Sequence, residues 1–315
     1  MRDIDLPLPV VRAALAPVFR TVLNHRLSWR AQRLLLDVTS RVQLAPGGTI
    51  VHRLRLAGRP AERVTAAVEG RPVWSPSTTG AAGAVLYLHG GGFTVGSPRS
   101  HRSLTARLAR DVGCAVYVLD YRLAPEHPFP AALDDAESAF LALTGEFGYR
   151  PERIAIAGDS AGGGLALAAA QRLVAEHGHT PAALGLIAPW VDPNIPATRP
   201  RDLVISGPWS RSCAAAYLGG GDGDDPGYAP LRGALHGLPP TYVQADADEL
   251  LHEQGVELVA ALRAAGVHVR FSETKGLWHV AQLQASLVGP AAAALREMAD
   301  FLREAVQPVS IRDLG

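Results

Sequence analysis

Residues 153–173 read RIAIAGDSAGGGLALAAAQRL. The stretch opens with a short apolar run and closes with an Ala-rich segment of helical character. Between them lies Gly158-Asp159-Ser160-Ala161-Gly162, a match to G-x-S-x-G. A continuous apolar run of this length predicts a strand buried on both faces. The spacing predicts a helix over 161–176. Small residues two before and two after Ser160 leave room for a sharp strand-to-helix turn that lifts the hydroxyl above a sheet. The amino end of the helix would set backbone N–H groups and a positive dipole end beside that hydroxyl. In a chain with 32 glycines the pentapeptide alone says little. Its strand–turn–helix setting makes Ser160 the candidate nucleophile.

The same pattern extends outward in both directions. AVLYL (84–88), CAVYVLD (114–120), RIAIAG (153–158), ALGLIA (183–188), TYVQA (241–245) and VHVRFSE (267–273) read as strands. Helical segments are predicted over 100–111, 130–146, 251–265 and 285–306. Strands alternating with helices predict a mostly parallel sheet with helices on both faces. Function in such sheets gathers at the carboxyl ends of the strands. Residues 49–56 and 62–68 alternate as two earlier strands. Residues 1–45 read as amphipathic helices, with Leu15, Val18, Phe19, Val22 and Leu23 at helical spacing. Residues 190–235 interrupt the alternation with Pro, Gly and Asp and one helical piece near 209–218. Both segments are expected to cover the site as a cap on a single domain spanning 1–315.

His89-Gly90-Gly91-Gly92-Phe93 follows AVLYL directly. Successive glycines let a backbone turn its N–H groups toward a ligand. Acyl transfer needs such donors aimed at the developing oxyanion. Gly91, Gly92 and Ala161 are the expected donors, Gly90 shapes the loop, and His89 braces it. No G-K-[ST] follows, so a phosphate loop of the nucleotide-binding kind is not indicated.

A serine nucleophile on this sheet requires an acid and then a histidine further along the chain. His279, in LWHVAQ, lies between the last strand and the last helix, where the base should be. His177, His179, His236, His252 and His268 are less well placed. The acid is expected after TYVQA, among Asp246, Asp248, Glu249 and Glu253, and spacing alone does not choose among them. Phe93, Trp190, Trp209 and Tyr217 are candidate pocket residues, with packing inside the cap as the equal alternative. The run GGGDGDDPGYAP (219–230) lacks the ligand spacing of a calcium loop and reads as a solvated segment.

Composition sets the limits. The 315 residues carry 30 Lys+Arg against 30 Asp+Glu, a formal charge of zero, which gives no global field to attract nucleic acid. Hydrophobic residues at 48% and charged residues at 19% are globular proportions. Two cysteines, Cys114 and Cys213, rule out a disulfide-built scaffold and read as reduced thiols. No apolar run is long enough for membrane insertion, and the N-terminus makes a poor signal peptide, so a cytoplasmic location is expected.

YLHGGGFTVGS (87–97), LDYRLAPEHPFPAALDD (119–135), RIAIAGDSAGGGLA (153–166) and LWHV (277–280) together resemble the hormone-sensitive-lipase-like, or bacterial family IV, esterases of the α/β-hydrolase superfamily. The resemblance covers roughly residues 80–300. It implies an α/β-hydrolase fold, a Ser–acid–His triad, a helical cap and hydrolysis of short or medium acyl esters through an acyl-enzyme. It implies a small-molecule ester substrate, no metal or organic cofactor, and a homodimer as one form of the chain. Many relatives carry D-P-L-R-D-E-G, whose first Asp is catalytic. Laid on this chain without gaps, that Asp falls on Glu249. The remaining residues, ELLHEQG, depart from the pattern and leave Asp248 as the rival acid. Within DYRLAPEHPFPAA, Arg122 and Glu126 are expected to make buried ionic contacts. Other readings on the same fold are a natural-product deacetylase or acyltransferase, and a receptor whose catalysis is silent.

Overall fold

The computed structural model describes residues 5–40, 44–68, 71–72 and 83–307. The remaining parts of the expected 1–45 and 1–315 spans lie outside the described residues. β4 (Ala84–Leu88), β5 (Ala115–Leu119), β6 (Ile154–Asp159), β7 (Leu184–Ile187) and β8 (Thr241–Asp246) are buried along their full length. β9 (Val269–Thr274) closes one edge and is half-exposed. From β5 through β4, β6, β7 and β8 to β9, every neighbouring pair is parallel. β1 (Thr49–Leu56) and β2 (Arg59–Val68) form a hairpin at the other edge, joined to β5 by antiparallel pairing of β2. A two-residue β3 (Arg71–Pro72) pairs with β2. The sheet order is β1-β2-β5-β4-β6-β7-β8-β9.

Period-two side-chain alternation sorts the core into two layers. Leu86, Leu88, Tyr117, Ile154, Ile156 and Leu184 face one side, together with residues of α4 (Ala131–Gly145), α5 (Ala161–His177) and α7 (His252–Ala264). Val85, Tyr87, Val116, Val118 and Ala155 face the other, against α3 (Arg102–Val112) and α8 (Gly289–Val306). Burial of each such Val or Leu contributes about 1.5–3 kcal/mol, which fixes the strand register and with it the loops at the strand ends.

Three further helices lie over those loops. α1 (Leu8–Val22) and α2 (Trp29–Ser40) precede the sheet, and α6 (Gly207–Leu218) lies between β7 and β8. Ser206 caps α6, its Oγ accepting from the Trp209 N–H at 3.4 Å. Arg12 of α1 donates to the carbonyls of Gly276 and Leu277 at 2.9 Å each. Arg33 of α2 donates to the carbonyls of Thr94 and Ala124 at 2.8 Å each, and pairs with Glu126 at 2.7 Å. The roof is therefore tied to the loops beneath it by charged hydrogen bonds. No helix among the described residues is long and apolar enough to cross a membrane.

The expected buried contacts of Arg122 and Glu126 need correction. Arg122 binds Asp135 at 2.8 Å and Glu126 binds Arg33, and both side chains are about a third or more exposed (32% and 45%). Both residues lie in the segment 120–130 that links β5 to α4, and their long side chains reach solvent there.

Candidate active site

Ser160 sits at the junction of β6 and α5 with φ +54° and ψ −121°, a backbone conformation that L residues rarely adopt. Such strain costs on the order of 1–3 kcal/mol and persists only where the surroundings enforce it. Here two close approaches enforce it. A Cβ on Gly158 would lie 2.3 Å from the Gly162 carbonyl oxygen, and one on Gly162 would lie 2.0 Å from that of Leu88. The turn is thus pressed against the end of β4, beside the 89–93 loop.

Above the turn, the Ser160 hydroxyl meets His279 Nε2 at 2.9 Å. His279 Nδ1 meets Glu249 Oε2 at 2.8 Å. All three residues are buried. Burial disfavours the imidazolium, but the hydrogen bond and charge of Glu249, with Asp202 and Asp159 further off, outweigh it and hold the His279 pKa above its ordinary value.

Asp248 and Glu253 are exposed. Asp246 is buried and serves as a brace. Its Oδ2 accepts from Thr274 Oγ1 at 2.8 Å and from the Leu277 N–H at 2.9 Å, and its Oδ1 accepts from the Asp248 N–H at 3.0 Å. It pins the loop that carries His279. Val280, next in that loop, has φ +53°, which is unusual for a β-branched residue.

Beneath the 89–93 loop lies a polar network that sequence reasoning missed. Asp159 Oδ1 accepts from Tyr87 Oη at 2.8 Å and from the Gly90 N–H at 3.1 Å. Its Oδ2 lies 3.3 Å from His101 Nε2, and both side chains are almost wholly buried. Burial opposes both charges, yet each stabilises the other, so the His101 pKa rises and that of Asp159 falls. His89 stacks on Tyr121 at 4.3 Å, and its Nδ1–H donates to the Gly90 carbonyl at 2.9 Å. Burial, with His101 adding to it, lowers the His89 pKa to about 3. His89 is thus a neutral strut. The available signal was the position of Asp159 itself, directly before Ser160.

An apolar cavity of about 340 Å³ opens over Ser160 and His279. Leu15 and Phe19 of α1, Leu23 just after it, Leu36 of α2, and Ile205 and Trp209 wall it. Trp209 Nε1–H donates to the buried Gln32 Oε1 at 2.8 Å, joining α6 to α2. Phe93, Trp190 and Tyr217 do not line this cavity. Phe93 stacks on Tyr217 at 3.7 Å and lies 6.0 Å from Trp190, inside an aromatic cluster. The packing alternative describes these three. Phe93 has φ +61°, at the bend that ends the glycine loop.

A family profile described as "alpha/beta hydrolase fold" matches residues 85–283, well over half of the chain. The chain belongs to that family. This α/β hydrolase is 35% identical over 291 residues to the carboxylesterase/phospholipase LipF of Mycobacterium tuberculosis, covering 88% of this chain and 75% of that one. It is 35% identical to the esterase LipU of the same organism, over 86% of this chain and 92% of the other. A solved structure of an esterase from the bacterial hormone-sensitive lipase family superposes with a TM-score of 0.83 at 33% identity, covering 94% and 98% of the two chains. The α/β hydrolase described here is an enzyme of the hormone-sensitive-lipase-like esterase group, a hydrolase of carboxylic esters.

Proposed function

We propose that Ser160, His279 and Glu249 form the triad of a short- or medium-chain esterase, with the N–H groups of Gly91, Gly92 and Ala161 as the oxyanion hole. The observation that carries this reading is the buried chain from Ser160 Oγ through both nitrogens of His279 to Glu249. The Gly90 N–H is engaged by Asp159, so the donors are assigned to its neighbours and to the residue after Ser160.

His279 takes the Ser160 proton as Oγ attacks the ester carbonyl. Glu249 holds the imidazole in the tautomer that accepts at Nε2 and stabilises the imidazolium formed. The tetrahedral oxyanion is held by the three N–H groups, each worth about 100- to 1000-fold in rate. Collapse expels the alcohol, protonated by His279, and leaves an acyl-enzyme. Water, deprotonated by His279, then releases the acid. The cap segments 1–45 and 190–235 supply the walls that receive the acyl chain. A cytoplasmic setting accords with the free thiols of Cys114 and Cys213.

Hydrolysis of p-nitrophenyl acetate, butyrate, octanoate and palmitate by wild type and Ser160→Ala tests the assignment. Activity should be highest on the shorter esters and vanish in the variant. Full activity in Ser160→Ala protein would overturn it.

A further inference from the structure

Beside the apolar cavity lies a second depression, of about 610 Å³. Arg20 from the last turn of α1, His25 and Arg26 from the turn after it, Arg199 and Arg201 ahead of α6, and Arg211 on α6 all line it. No Asp or Glu is among its lining residues. Five arginines therefore converge in a chain whose formal charge is zero. The neighbouring acid in sequence, Asp202, is turned inward. Its Oδ1 accepts from the N–H groups of Val204 and Ile205 at 2.7 and 2.8 Å, and its Oδ2 from that of Leu250 at 2.9 Å.

Like charges gathered around one depression repel one another, and an anion between them reverses that cost. The guanidinium fork matches phosphate oxygens in pairs, which a lysine cannot do. The amino end of α6, at Gly207 and Pro208, also lines the depression and adds its positive dipole end. The two cavities share a wall. Leu23 lines both, while Ile205 faces the apolar cavity and Ser206 the basic one.

We propose that this depression binds a phosphate-type oxyanion carried by the ester substrate whose acyl chain enters the cavity over Ser160. The proposal rests on the esterase reading above and names the substrate class for it: an acyl ester with a phosphate on its alcohol part.

The probes are glycerol monobutyrate and butyrylglycerol phosphate, which differ by one phosphate. Wild type should favour the phosphorylated ester in kcat/KM by about tenfold or more, the worth of one charge-assisted contact. That ratio should fall toward one in the triple variant Arg199→Ala/Arg201→Ala/Arg211→Ala. These arginines are exposed, and such substitutions cost little stability. A control lacking the exposed Arg53, Arg263 and Arg296 should keep the ratio. Equal kcat/KM values in wild type, or a preference that survives the triple variant, overturn the proposal. Failure of the esterase reading looks different: wild type cleaves neither ester, or Ser160→Ala cleaves both. Titration of Ser160→Ala protein with inorganic phosphate then decides the depression alone. Heat lost on adding the triple substitution supports it, and no binding overturns it. Binding to phosphatidic acid vesicles without a preference for the soluble phosphorylated ester places the anion on a lipid surface and overturns the substrate assignment.

Discussion

Asp159 accepts a hydrogen bond from the Gly90 N–H at 3.1 Å, so the residue before Ser160 holds the glycine loop that lies over it. A Cβ on Gly90 would come within 2.2 Å of the same carboxylate, which shows how closely loop and carboxylate are pressed together. The Ser160 turn and the glycine loop are thus one mechanical unit, held by a carboxylate that lies 3.3 Å from His101 Nε2.

Asp159→Asn should therefore act through position. The amide keeps the size but loses the charge that Tyr87, Gly90 and His101 share. Stability should fall by about 2 kcal/mol, as buried partners lose a charged acceptor. A kcat reduced with KM nearly unchanged, measured on p-nitrophenyl butyrate, is the expected signature of a loosened oxyanion loop. An unchanged kcat would mean that the loop keeps its place without this carboxylate.

The two rival acids separate cleanly. Glu249→Gln should lower kcat by roughly 100- to 10,000-fold, because the imidazole loses its orienting partner and the charge that stabilises its protonated form. Asp248→Asn should change it by less than about threefold, since Asp248 is exposed and its N–H, not its carboxylate, is what the structure uses. Steady-state kinetics on one short ester reads both.

The pH profile follows from His279. Its pKa is raised in the folded protein, and only the neutral imidazole can accept the Ser160 proton. The acid limb of kcat/KM should therefore lie above the ordinary imidazole value of about 6.5, with activity lost as the pH falls through it. Removing the Glu249 charge removes the main influence that raises it. The limb in the residual activity of Glu249→Gln should move to lower pH. A limb that stays in place would point to another titrating group.

Chain-length selectivity is assigned to the roof. Phe19 on α1 lines the cavity over Ser160. Phe19→Ala should shift the preferred p-nitrophenyl ester toward longer acyl chains, with acetate hydrolysis changed by less than about threefold. Unaltered chain-length preference would place the acyl group elsewhere.

The sheet was legible because its central strands are short, continuous apolar runs, as strands buried on both faces must be. β9 was legible despite its exposed edge because it sits in rhythm between α7 and α8. Gly158-x-Ser160-x-Gly162 and the 89–93 loop could be placed for the same reason: each follows such a run. The acid resisted because Asp246 ends β8 and Asp248, Glu249 and Glu253 follow it closely, and only tertiary geometry distinguishes an acid facing His279 from one bracing the loop. The aromatic residues resisted for a similar reason. Trp209 and Tyr217 lie on one helix eight residues apart, yet one faces the cavity and the other packs on Phe93. The ties of Arg12 and Arg33 to loops far along the chain carry no local signal at all.

The hydrogen bond from Trp209 to Gln32 joins two helices that lie on either side of most of the sheet in the sequence. Neither residue belongs to the strand ends that carry Ser160, Glu249 and His279. Chemistry and selection of substrate are consequently built from separable parts. The roof can be exchanged, by grafting α1, α2 and the stretch leading into α6 from a relative, while the machinery below is inherited unchanged. What must travel together in such a graft is the Gln32–Trp209 pair and the arginines that clamp the roof to its base.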